Sequence, residues 1–194
     1  FGGWRREVVE DDVMLPRLYL AFRIPPFGSD GYYAASVCGA VLGMRRGSRL
    51  HRTLVREQEI ASEASAFTFD LSKGSDLLIV DVTARPGISL ESLETATAAQ
   101  VEAVRRDGVT DAEVERAVAL IETDFVSAMQ SAADRADKLS QFATYFGDPS
   151  LVNVQADVYR AVTAAQVTAF ARESLGVDNR ISLVFVPRAA EAAA

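Results

Sequence analysis

Two-residue hydrophobic periodicity occurs at a few places in this chain, and where it falls decides the fold. Leu18, Leu20, Phe22 and Ile24 alternate with Arg17, Tyr19, Ala21 and Arg23 before Pro25-Pro26. That is the period of a half-buried strand, halted by residues that cannot continue it. Residues 60–71 and 76–85 give two more strands, joined by Ser72-Lys73-Gly74-Ser75, a hairpin-turn composition. In the second of them Leu78, Val80, Val82 and Ala84 share one face. Ile181, Leu183 and Phe185 alternate in a last strand that ends at Pro187.

The stretches between have helical character. Asp30 caps a helix over 31–43, and beyond a break bracketed by Gly43 and Gly47 a second runs from Ser48 to Glu57. Ser89 and Gly108 bound a third over 90–107. Thr110 to Glu113 is a capping box, opening a stripe of Val114, Val118, Ile121, Phe125, Ala128 and Ala132. The stripe continues through Leu139, Phe142 and Phe146, and at that length a bend near Ser131 is expected. Helices over 151–161 and 164–175 follow, the latter with a capping box at Thr163 and Gln166. The order lacks the regular strand–helix alternation that a parallel sheet needs. The expected architecture is therefore α+β, a mostly antiparallel sheet with helices packed on one face. It occupies one domain over 17–188. An extended lead-in, acidic at Glu7, Glu10, Asp11 and Asp12, covers 1–16, and a frayed Ala-rich tail covers 189–194.

Composition narrows the function more by exclusion than by signal. The 194 residues are 49% hydrophobic and 24% charged, a globular profile. A net charge of −7 and a pI near 4.8 argue against nucleic acid, whose backbone selects surplus positive charge. No run of about 18 apolar residues exists to span a membrane. Arg far outnumbers Lys and Ala is abundant, which points to a GC-rich bacterial source and so to the cytoplasm or periplasm. The single cysteine, Cys38, excludes an intrachain disulfide and a multi-cysteine zinc knuckle. The single histidine, His51, excludes any zinc site that needs two imidazoles from this chain. There is no P-loop, G-x-G-x-x-G or G-x-S-x-G.

Cys38 lies in an apolar helix and reads as buried and inert rather than as a nucleophile served by His51. His51 reads as a surface or interface residue. Glu113, Glu122, Asp134 and Asp137 read as solvated helix faces. Arg45, Arg49, Arg52 and Arg56 recur at intervals of four, three and four, which on a continuous helix is one basic stripe. The stripe suits either a carboxylate or other anion, or an acidic surface of another domain, against the plainer reading of a solvated face near Glu57 and Glu59. On its residues alone the chain is an interaction or accessory domain with no catalytic site of its own.

Several stretches fall in a telling order. They are Phe1-Gly2-Gly3-Trp4, the strand Leu18 to Pro26, Ala40-Val41-Leu42-Gly43 with Gly47-Ser48-Arg49-Leu50, and Leu54-Val55-Arg56-Glu57. Then come Thr110-x-x-Glu113-x-Glu115-Arg116-Ala117, Tyr145-Phe146-Gly147-Asp148-Pro149, Val162-Thr163-Ala164-x-x-Val167, and Asp178-Asn179-Arg180 with Val184-x-Val186-Pro187. Together they span nearly the whole chain. In that order they resemble the insulin-degrading-enzyme and pitrilysin-type zinc peptidases, the family that includes mitochondrial processing peptidase.

The resemblance implies an α+β domain of a clamshell around an enclosed peptide chamber. Its zinc sits in a preceding domain, on an H-x-x-E-H motif with a downstream Glu, and no cofactor sits in this chain. The Phe1 start reads as the end of that preceding domain. The expected partners are the zinc-bearing domain or subunit and the peptide substrate. In active members a helix-to-strand segment also lends an Arg and a Tyr to the substrate. Arg56 falls on the Arg position, whereas the Tyr position falls on Ser62 or Glu63, and Met44-Arg45-Arg46 replaces further glycines. The departures imply a domain that closes the chamber without completing the catalytic site. The alternative is a domain of an inactive homologue serving as scaffold or partner subunit.

Overall fold

Strand β2, Arg17–Ile24, buries Leu18, Leu20, Phe22 and Ile24 on one face, as its alternation requires. Its neighbours complete a five-stranded sheet in the computed structural model, which describes residues 4–188. The first three residues and the tail expected over 189–194 lie outside them. The sheet order is β1-β5-β2-β4-β3, with β1 at Arg5–Asp11, β3 at Ala61–Thr68, β4 at Asp76–Ala84 and β5 at Arg180–Pro187. The β2–β4, β2–β5 and β3–β4 pairs are antiparallel, and β1 runs parallel to β5. The mostly antiparallel α+β fold is the one the periodicities predict.

The lead-in segment is corrected: Arg5–Asp11 is a strand of the sheet. It is an edge strand exposed at all its residues but Val9, so no apolar alternation marks it, and its charges suit an edge that must not aggregate.

The helices are α1 at Asp30–Gly43, α2 at Leu90–Asp107, α3 at Asp111–Gln130, α4 at Ala132–Phe146, α5 at Gln155–Arg160 and α6 at Ala164–Ser174. Ser29, not Asp30, caps α1, its Oγ accepting from the Tyr32 amide at 3.3 Å. Thr110 and Thr163 form the two expected capping boxes. The long stripe breaks at Ser131, where α3 ends and the Ser131 hydroxyl caps α4. The helix expected over 151–161 begins as a 3-10 turn, Pro149–Val154.

Helix α1 is buried along nearly its whole length, because one side meets the sheet and the others meet further helices. Its last residue, Gly43, lies against the backbone of β3: a Cβ there would sit 1.9 Å from the Ala66 nitrogen. The core gathers the inward faces of β2 and β4 with Tyr32, Val37, Leu42, Leu93, Val104, Val167 and Phe170.

The outward face of the sheet takes no part in this core. Tyr19, Leu183 and Phe185 stand there half-buried, Ile79 of β4 is buried, and Phe67 is 42% exposed. Arg17 donates two hydrogen bonds to Asp81 across this face and stacks 5.3 Å from the Tyr19 ring centre. Among the described residues no helix is long and apolar enough to cross a membrane.

Candidate functional site

The segment that carries the four arginines starts where α1 stops. Met44 leaves the helix, Arg45 takes a left-handed backbone (φ +62°), and Ser48 bonds back to the Arg45 carbonyl through its amide (3.2 Å) and its hydroxyl (2.9 Å). From His51 to Glu57 the backbone is π-helical: the Gln58 amide donates to the Thr53 carbonyl five residues back, at 2.9 Å. A π turn is wider than an α turn, so three- and four-residue spacings no longer stack on one face.

The single basic stripe therefore does not form. Arg45 stands in the loop and pairs with Asp124 of α3. Arg49 turns into the domain. Its Nε and Nη2 donate to the two carboxylate oxygens of Glu113 at 2.7 and 2.8 Å, and Nη2 also donates to the Gly108 carbonyl at 3.0 Å. Arg52 faces solvent with Glu57 at 3.7 Å. Arg56 is exposed and without an ion pair among the described residues.

Glu113 is thus not on a solvated face. Its carboxylate accepts from Arg49, then from the Thr110 amide (2.9 Å) and hydroxyl (3.0 Å). The Arg49 bonds above all hold its carboxyl down at about 2, against an ordinary 4.5, although burial opposes them. Glu122 pairs with Arg160 at 2.7 Å.

A cleft of about 490 Å3 opens between the Gly43–Ser48 loop, the π-helical turn and the edge of β3. Gly43, Arg45, Arg46, His51, Ser62 and Glu63 line it. The structure thus brings Ser62 and Glu63 beside Arg45 and His51, whereas Arg49 is turned to Glu113 and Gly108 and, like Arg52 and Arg56, does not line the cleft. His51 is half-buried in this wall, and its Nδ1 is buried without a hydrogen-bond partner among the described residues. Sequence spacing alone cannot find this grouping, since it depends on Gly43 drawing α1 onto β3. Cys38 is buried, and desolvation pushes its thiol up to about 12, which leaves no thiolate for nucleophilic work.

These residues do not fit a zinc centre. The sequence has one histidine, and among the described residues no three His, Cys, Asp or Glu side chains gather as a metal would need. What the arrangement offers is recognition: guanidiniums, a hydroxyl, a carboxylate and a sheet edge.

Comparison with known proteins agrees with this architecture. Residues 1–121 match the model of the peptidase M16 inactive domain. The zinc protease PqqE of Helicobacter pylori is 26% identical over 141 residues, which cover 72% of this chain and 32% of that protein. A protease structure from Helicobacter pylori superposes with a TM-score of 0.84 at 22% identity, over 96% of this chain and 44% of the other. The inactive peptidase domain from Bordetella parapertussis superposes with a TM-score of 0.81 at 22% identity, over 94% of this chain and 98% of that one. This chain therefore spans about a third of its curated relative and nearly all of a separately crystallised inactive domain. The chain belongs to the family of peptidase M16 inactive domains.

Proposed function

We propose that this chain is the non-catalytic domain of an insulinase/pitrilysin-like zinc metalloendopeptidase. It docks on the zinc-bearing domain and helps enclose the chamber in which peptide is cut. The observation that carries this reading is the outward face of the sheet. Tyr19, Leu183, Phe185 and Phe67 form an apolar surface that no helix covers among the described residues. Apolar residues left uncovered on a sheet face, here crossed by the Arg17–Asp81 pair, mark sites of association. Zinc then belongs to the partner, because this sequence has one imidazole. The cleft, lined by Arg45 and Arg46, adds groups that bind peptide carboxylates and carbonyls, and the exposed Arg52 and Arg56, outside it, serve as interface residues. A second reading has one observation in its favour. Ser62 and Glu63 supply no phenol where the resemblance places a Tyr, so a scaffold domain of an inactive homologue would carry the same residues.

The test is titration of this chain with the zinc-bearing M16 domain encoded with it, on the same polypeptide or beside it. Wild-type chain is expected to bind one to one. Phe67→Ser should weaken binding about tenfold, or about 1.4 kcal/mol, with an unchanged melting temperature, because Phe67 is already 42% exposed. Arg52→Glu should weaken it by less, as expected for a rim charge. Failure of the wild-type chain to bind, or equal binding by Phe67→Ser, removes the docking face.

A further inference from the structure

On the helix side of the sheet, the parallel β1–β5 pair builds a second recess far from the cleft. Register sets Arg6 opposite Ser182, and Arg180 lies two residues earlier on the same face of β5. Helix α2 supplies Glu94, which accepts two hydrogen bonds from Arg6 at 2.9 and 3.0 Å. The Trp4 indole N–H donates to the Ser182 hydroxyl at 3.4 Å and walls the opening. The recess encloses about 260 Å3, with Leu20 as part of its apolar floor.

The charges there do not balance. Two guanidiniums share one carboxylate, and both oxygens of that carboxylate are engaged by Arg6. The Arg180 Nε is buried without a hydrogen-bond partner among the described residues. Burial accordingly pulls Arg180 below the ordinary arginine value, and the charge of Glu94 offsets this only in part. An under-compensated guanidinium is costly unless something it binds repays the desolvation. A chain with a net charge of −7 has acidic side chains to spare for such a place, yet among the described residues none forms an ion pair with Arg180.

We propose that this recess is a binding site for a carboxylate, held by the Arg180 guanidinium as a two-pronged donor, with the body of the ligand against the Trp4 ring and Leu20. Guanidinium and carboxylate match in geometry, and the pair gains strength where water is excluded. The volume admits one terminal residue or a small organic acid and not a folded partner. Both the C-terminal carboxylate of a peptide and a free acid carry this chemistry.

Trp4 is the sole tryptophan of the sequence, so the intrinsic tryptophan fluorescence of the chain reports on this recess alone. The probes are N-acetyl-phenylalanine, a tetrapeptide ending in phenylalanine with a free carboxylate, and the same tetrapeptide amidated, at constant ionic strength with chloride as counter-ion. A saturable change is expected with both free acids and none with the amide. Tighter binding of the tetrapeptide identifies a peptide C-terminus as the ligand, and equal binding identifies a free carboxylate head. Arg180→Gln should weaken binding at least tenfold. Arg180→Lys, which keeps the charge and loses the fork, should weaken it by a smaller factor, and it serves in place of the glutamine variant if that one loses its far-UV circular dichroism. Absence of a saturable change, an amide that binds as well as the acid, or a folded Arg180 variant that binds like wild type overturns the site.

Discussion

Replacing Gly43 by alanine lowers the unfolding free energy of this domain by about 3 kcal/mol. The cause is steric and lies in the backbone. An added Cβ would stand 1.9 Å from the Ala66 nitrogen and 2.3 Å from the Ser65 carbonyl carbon, and neither atom belongs to a side chain that could swing away. Relief requires α1 to move off β3. That loosens the contact which shapes the cleft between the Gly43–Ser48 loop and Ser62. For a domain of this size each kcal/mol shifts the melting temperature by about 2–4 °C, so a fall of about 6–12 °C is expected. Gly39, one turn earlier on the same helix, is the control. Its Cβ would meet the Leu78 Cδ1 at 3.6 Å, an ordinary contact, and alanine gains helix propensity of about 1 kcal/mol. Gly39→Ala should therefore be neutral or stabilising. Equal melting temperatures for Gly43→Ala and wild type would contradict the close approach of α1 to β3.

The second large effect belongs to Arg49 and Glu113. Their side chains are 17% and 15% exposed, so the pair is shielded from the screening that weakens surface ion pairs. Glu113→Gln leaves Arg49 half-buried opposite a neutral amide, and a loss of about 2–3 kcal/mol is expected at pH 7. The pH dependence has a definite sign. Folding lowers the Glu113 carboxyl from an ordinary 4.5 to about 2. Its contribution is complete above the unfolded value and fades as pH falls from about 4.5 to about 2, where the folded carboxylate takes up its proton. Arg49 keeps its charge throughout. Urea unfolding of wild type and Glu113→Gln at pH 7, 4 and 2.5 measures this directly. The gap between the two proteins should shrink toward low pH, and a gap that stays constant from pH 7 to 2.5 would mean the carboxylate charge does not stabilise the fold.

These residues also show what a sequence reveals and what it conceals. The strand at Arg17–Ile24 is legible because it buries one face and leaves the other half-open, which stamps a two-residue period on the chain, and β4 is legible from the apolar alternation of Leu78, Val80, Val82 and Ala84 although both its faces are largely buried. The capping boxes at Thr110 and Thr163 are equally plain, being local chemistry over four residues. Strand β1 is concealed because an edge strand wet on both faces has no such period, and its parallel partner β5 lies at the far end of the chain. The arginines mislead for another reason. Their spacing implies one face only if the helix is α, and nothing in His51–Glu57 announces the wider turn. Glu113 looks solvated within its own helix, because its partner Arg49 comes from 64 residues away. The recess at Trp4, Glu94 and Arg180 joins both ends of the chain with α2, and only sheet register brings those side chains together.

The most direct test of the central claim is the zinc content and peptidase activity of the purified, tag-free chain, alone and mixed with the zinc-bearing M16 domain proposed as its partner. The chain alone should carry no stoichiometric zinc by elemental mass spectrometry and leave a quenched fluorescent peptide uncut. The mixture should form one complex with all its zinc on the other domain. One zinc per chain in the isolated protein, or peptide cleavage by it, would contradict the assignment of this domain as the non-catalytic companion.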